Sequence, residues 1–189
     1  LRTCVSTSGI PGRGPGIGVV AHRRLSLVLN LVRATPLPDF EMEIRLTRLS
    51  HDQHRLEVRR AEGAPLEREL ETRSVLLHDL VHFALEAEAG LETGFWGRLA
   101  AGADFDQLSA EAAAPVQGDL MLVERLVGPM QALWQGRLEL EPYLAMASSQ
   151  ADYVDRAFVE RVLERLRRLW GEWRATPFHE TMVLRWPPK

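Results

Sequence analysis

From Met42 the chain alternates apolar and polar residues. Met42, Ile44 and Leu46 stand against Glu43, Arg45 and Thr47, the period-two pattern of a half-buried strand. The polar stretch Ser50–His51–Asp52–Gln53 interrupts it, and His54, Leu56 and Val58 then alternate with Arg55, Glu57 and Arg59. After the break at Glu62–Gly63–Ala64–Pro65, Leu66, Arg68 and Leu70 alternate with Glu67, Glu69 and Glu71. Together these segments predict a three-stranded antiparallel meander with one apolar face and one charged face.

The period changes at Ser74, a favourable N-cap residue. Val75 to Ala89 then runs without a breaker to Gly90, which suits a left-handed C-terminal cap. A shorter helix is predicted over Phe95–Ala101, flanked by Gly94 and Gly102. Another is predicted over Asp119–Gln135, where Leu122, Val123, Leu126, Val127, Met130, Leu133 and Trp134 share an arc of roughly 140°. Pro129 is expected to kink or split it. A long helix is predicted over Ser149–Arg174, opened by a capping box of Ser149 with Asp152. Its apolar face runs from Phe158 to Trp173, and Glu164 is placed to pair with Arg168 on the other face. After Pro177, Met182, Leu184 and Trp186 alternate with Val183 and Arg185, a terminal strand whose only available partners are in the meander. The predicted class is therefore α+β: a small antiparallel sheet, three N-terminal strands plus a C-terminal one, packed against a helical layer.

Charge separates the beginning of the chain from the rest. Residues 1–40 carry five arginines against the single acid Asp39, so the net −3 of the whole conceals a surplus of acid beyond residue 40. The opening Gly9–Gly18 stretch is too rich in Gly and Pro for a regular element. Its composition fits an organelle transit peptide. A secretory signal fits less well, because the apolar run Leu25–Val32 is short and no small-x-small cleavage site follows. A third reading is an upstream translated extension with Met42 as the working start. We expect residues 1–41 to be a disordered or non-native extension and 42–189 to form a single α+β domain.

In 189 residues, 46% hydrophobic and 26% charged, there is material for an ordinary core. No apolar run approaches the length of a membrane span. Cys4 is the only cysteine, which excludes an internal disulfide framework and a cysteine-based zinc site within one chain. The acidic balance argues against nucleic acid as a partner, since duplex affinity comes from neutralising phosphates. The arginines of the long helix read as a charge-balanced, solvated face.

Chemistry is concentrated in one helix. With His78 at 0°, His82 falls at about 40°, Glu86 at about 80° and Asp79 at about 100°, while apolar residues occupy the rest of the wheel. Histidines at i and i+4 can each offer a nitrogen to one ion, and Glu86 a turn later can add a carboxylate oxygen. His78, His82 and Glu86 are thus the expected metal ligands. Asp79 is a ligand, a partner fixing an imidazole tautomer, or a catalytic general base. Two histidines and a carboxylate suit zinc foremost, and Fe(II) or Mn(II) as well. Glu88, Glu92, His179 and Glu180 are candidates for a fourth ligand. The competing readings are a metal-free polar cluster and a solvated helix face; against the latter, the stripe contains neither Lys nor Arg.

The run His78-Asp79-Leu80-Val81-His82 resembles the HDxxH motif of a coenzyme Q biosynthesis protein family, where the motif is associated with zinc. That motif continues to a glutamate after eleven intervening residues; the matching position here is Gly94, and Glu92 is out of register. The resemblance covers about five residues and implies zinc binding without a substrate. The stretch Leu70–Gly102, with Phe95-Trp96-Gly97, is similar to short uncharacterised bacterial proteins, which implies cytoplasmic residence.

The alternating glycines Gly12, Gly14, Gly16 and Gly18 follow no strand and lack a P-loop lysine. Ser148 and Ser149 lack the glycines of a nucleophile elbow, and Cys4 is a poor nucleophile candidate. The five tryptophans read as sheet–helix core, with Trp186 the one most available to line a pocket or a dimer interface. Two functions follow as expectations. One is a small cytoplasmic divalent-metal protein, a hydrolase or lyase of unknown small-molecule substrate. The other is a non-catalytic interaction module, a homodimer built on the long helix and the tryptophans, with no metal.

Overall fold

A computed structural model describes residues 42–112 and 118–188, all within one compact unit. The expectations for residues 1–41 lie outside the described residues. The three meander strands form as the alternation predicts: β1 (Met42–Arg48), β2 (Gln53–Arg60) and β3 (Leu66–Glu71). The terminal strand β4 (Thr181–Trp186) pairs antiparallel with β1, giving the order β3-β2-β1-β4. Register follows the apolar positions. Ile44 stands between Val58 and Leu184, and Leu46 between Leu56 and Met182. One face is therefore a continuous apolar surface against the helices, while Arg45, Glu43, Glu57 and Arg59 pair on the other.

The helices are α1 (Leu77–Ala89), α2 (Phe95–Ala100), α3 (Phe105–Ala112), α4 (Asp119–Trp134), α5 (Leu140–Ala147) and α6 (Arg156–Ala175). Helix α1 packs against both α4 and α6, which explains why it is apolar around most of its circumference. Its entry differs from expectation. A π-helical turn, Thr72–Leu76, precedes it, and the cap is Glu71, whose carboxylate accepts the backbone N–H groups of Arg73 and Ser74. The Ser74 hydroxyl donates to that carboxylate instead of capping. Gly90 closes α1 in the left-handed conformation, φ 64°.

Two helices escaped the sequence reading. Helix α3 opens on a reciprocal pair: the Gln107 N–H donates to Asp104 Oδ1 and the Asp104 N–H to Gln107 Oε1, a capping box. The other is α5. The long helix predicted from Ser149 starts later than expected: its first part is turn, and α6 is capped by Asp155, whose carboxylate accepts the Phe158 N–H at 2.7 Å. Glu164 pairs with Arg167, and Arg168 with Glu172, rather than with each other. Helix α4 continues through Pro129 without splitting.

The core comprises Met42, Ile44, Leu46, Leu56 and Val58 from the sheet and Leu80, Phe83, Ala84, Val162, Leu166 and Leu169 from the helices, among others. Trp96, Trp173 and Trp186 are buried in it. The Trp186 ring packs edge-on against Phe83, so the tryptophan singled out for an interface belongs to the core. Among the described residues no helix is long and apolar enough to cross a membrane.

Candidate metal centre

The polar seam of α1 is not a wet face. Glu86 is 0% exposed, His82 2% and Asp79 8%, with His78 half-buried. The two histidines project side by side, as their i, i+4 spacing requires, and their Nε2 atoms stand 3.1 Å apart. A third donor comes from α4: Glu124 Oε1 lies 3.4 Å from His82 Nε2. One ligand atom from each of His78, His82 and Glu124 can be chosen with all three within 4.8 Å of one another. Donors about 2.0–2.1 Å from a shared zinc ion stand about 2.9 Å apart at right angles and about 3.4 Å apart at a tetrahedral angle. Both observed spacings fit that range. They also fit a hydrogen-bonded cluster in which a proton replaces the ion.

Glu86 is turned away from this convergence. Its Oε1 accepts from His82 Nδ1 at 3.1 Å, on the opposite side of the imidazole from the donor cluster. Its Oε2 accepts the Trp96 backbone N–H at 2.9 Å, at the start of α2. The structure thus puts Glu86 behind His82: its carboxylate engages Nδ1 and leaves Nε2 facing His78 and Glu124. The α1–α2 connection is shaped around it, since an added Cβ at Gly94 would lie 2.5 Å from Glu86 Oε2. The position at which the resembled motif carries glutamate is therefore one where a side chain would collide with the glutamate this chain uses.

Asp79 lies on the same helix but contributes no atom to the cluster. Its Oδ2 is buried without a hydrogen-bond partner among the described residues, and burial pushes its carboxyl up to about 7. The other suggested ligands are elsewhere. Glu88 binds Arg161 and Arg165, and Glu92, His179 and Glu180 are exposed. Glu124 was missed because it sits on another helix. A faint signal existed: Glu124 and Gln131 are seven residues apart, two turns along one stripe at the edge of α4's apolar arc. The Gln131 side chain hydrogen-bonds His78.

Electrostatics differ across the cluster. Burial opposes a charge on His82, but hydrogen bonds with Glu124 and Glu86 outweigh it and hold this imidazole up at about 9. Burial and the neighbouring His82 lower His78. The hydrogen bond with His82 holds Glu124 below the usual carboxylate range. Exposure is also one-sided. Glu86 and His82 seal the inner end, whereas the Glu124 side chain is 33% exposed and His78 lines a pocket of about 280 Å³ with Ser74, Val75 and Gln131. Comparison of the chain with family models, curated proteins and solved structures finds no match.

Proposed function

We propose that this protein binds a divalent transition metal ion, zinc foremost, between α1 and α4 through Nε2 of His78, Nε2 of His82 and a carboxylate oxygen of Glu124. The observation that carries this reading is a three-atom donor set with a buried carboxylate behind one of its histidines: Glu86 occupies Nδ1 of His82, so the lone pair faces the other donors. Metal-ligating histidines characteristically have such a partner. Two nitrogens and one oxygen are a set that suits zinc, and Fe(II) or Mn(II) after it. Three protein ligands leave part of the coordination shell to water or substrate, the condition under which a metal lowers the pKa of bound water or polarises a carbonyl. Hydrolase or lyase chemistry is the class this arrangement serves.

A second reading has its own observation. His82 meets a carboxylate at each ring nitrogen, so a protonated His82 bridging Glu86 and Glu124 would tie α1 to α4 without an ion. Elemental analysis of the full chain, purified without a histidine tag, separates the two. We expect close to one transition metal per chain, lost in His82→Ala and in Glu124→Ala. Protein that carries no metal as purified and takes up none from added zinc leaves the ionic bridge as the function of these residues.

A further inference from the structure

The partners of His82 dictate where the proton of His78 sits. A carboxylate only accepts, and His82 meets one at each ring nitrogen, Glu86 at Nδ1 and Glu124 at Nε2. In the metal-free protein both nitrogens of His82 therefore donate. The 3.1 Å contact between the Nε2 atoms of His82 and His78 then has one direction. Two N–H groups cannot face each other, so Nε2 of His78 carries a lone pair. An imidazole with a bare Nε2 keeps its one proton on Nδ1, and a half-buried Nδ1–H requires an acceptor.

Helix α4 supplies that acceptor. Glu124 lies beside His82, and Gln131, about two turns further along α4, shares a wall with Ser74, Val75 and His78. The two helices thus run past each other in opposite directions, and His78 stands between the two polar residues of α4. The Gln131 side chain hydrogen-bonds His78, and the bond favours the protonated ring, as an accepting carboxamide oxygen does. A neutral partner also suits the charge. Glu86 and Glu124 together balance a divalent ion, and the carboxamide fixes the second histidine without a third negative charge.

We infer that Gln131 is a positioning residue of the metal centre: its carboxamide oxygen accepts the Nδ1 proton of His78 and holds Nε2 bare toward the ion. It stands behind His78 as Glu86 stands behind His82. When the ion enters, only the Nε2 proton of His82 has to leave, to solvent, and His78 binds without a change of tautomer. This rests on the metal reading above and deepens it, because it gives each ligating histidine its own support.

The test pairs zinc affinity with the tautomer of His78 in the full chain. Gln131→Leu keeps the bulk and removes the acceptor, whereas Gln131→Glu keeps an acceptor. Competition with a chromophoric chelator reads the affinity. Long-range proton–nitrogen NMR of histidine-labelled protein reads the tautomer, with the His78 signals assigned by their loss in His78→Gln. Circular dichroism confirms that each variant is folded. Metal-free wild type should carry the His78 proton on Nδ1. Gln131→Leu should bind zinc about 10–100-fold more weakly and lose that single tautomer, and Gln131→Glu should recover both. A wild-type proton on Nε2 of His78 overturns the inference. So does a loss of affinity with the tautomer unmoved, the mark of a merely structural role, or an equal loss in both variants. Zinc uptake indifferent to residue 131 overturns this inference and leaves the metal site standing. Failure of the wild type to take up zinc overturns the metal reading and this inference with it.

Discussion

His54 and His82 are equally hidden from solvent, at 0% and 2% exposed, yet their proton chemistry runs in opposite directions. His54 projects from β2 into the sheet–helix core, edge-on to Trp173, with Thr72 as its hydrogen-bond neighbour and Nε2 unpartnered among the described residues. Burial drives it down to about 4, and the more remote Glu71 only partly opposes this. His82, on α1, has Glu86 on one nitrogen and Glu124 on the other, and is held up at about 9. The same seclusion that forbids a charge on one ring makes the partnered charge on the other durable. Burial sets the cost of a charge; the number of anionic acceptors decides its sign. Of the two, only His82 sits among groups that can exchange a proton for a metal ion.

The largest expected effect tests whether Glu86 is what makes His82 different. Glu86→Ala removes the carboxylate behind His82 and strands the Trp96 amide. Breaking a buried charge pair on one side costs about 3–5 kcal/mol. Urea denaturation of the metal-free variant should show that loss, and Glu86→Gln, which keeps the size and one acceptor oxygen but faces the other donor with an NH2, should recover only part of it. A loss below about 1 kcal/mol in Glu86→Ala would put His82 in the same category as His54.

The pH dependence should be nearly as large, and of opposite sign at the two rings. A His82 pKa raised from 6.5 to about 9 stabilises the fold fully below 6.5, and this is lost as pH rises to about 9. The unfolding free energy of the metal-free protein should fall by about 3 kcal/mol over that window. Asp79, raised to about 7, adds in the same direction only at its lower edge. His54 acts below this window. Between 6.5 and about 4 the unfolded chain binds a proton that the folded protein refuses, so His54 destabilises progressively as pH falls. Asp79 works against His54 there, so the test is a difference. His54→Phe should gain about 3 kcal/mol on the wild type between pH 6.5 and 4. A constant difference across that range would mean that His54 is not forced neutral.

Much of this contrast was legible before the fold. Alternation placed His54 among apolar strand positions, and the helical wheel isolated His78, His82, Glu86 and Asp79 as a seam. Both are local patterns that the backbone period alone dictates. What the sequence hid is tertiary. Glu124 joins the histidines only because α4 packs on α1, and nothing within one helix reports which neighbour covers it. Glu86 was expected as a ligand because it shares the stripe with the histidines; the α1–α2 connection, by bringing the Trp96 N–H to it, turned it to the other side of His82. The helix expected over Ser149–Arg174 forms as α6 but starts seven residues late, at Arg156, for a different reason. Ser149, Asp152 and Asp155 all resemble caps, and only the packing of Phe158 and Val159 into the core shows that Asp155 is the one used.

Gly94 sharpens the same contrast from outside the ligand set. A methyl group there would stand 2.5 Å from Glu86 Oε2 and must displace that fully buried carboxylate. Gly94→Ala should therefore weaken metal binding about 10–100-fold, the usual cost of disturbing a carboxylate behind a ligating histidine. Competition with a chromophoric chelator measures this directly. Unchanged affinity would mean that the orientation of His82 does not depend on Glu86.

The smallest expected effect concerns Glu88, two residues along α1 from Glu86. Its carboxylate holds Arg165 at 2.7 Å and Arg161 at 3.1 Å, linking α1 to α6. By distance these are better ion pairs than the one at His82. Arg161 is 55% exposed, however, and Arg165 and Glu88 are 21% and 13% exposed, so water and a second arginine remain at hand once the contact is lost. Glu88→Gln should cost no more than about 1 kcal/mol and less still in molar salt. The loss in Glu86→Ala should survive salt, because no counterion reaches it. If the two variants fell together, or responded alike to salt, short contacts rather than seclusion with partners would be what α1 depends on, and the distinction between its two carboxylates would fail.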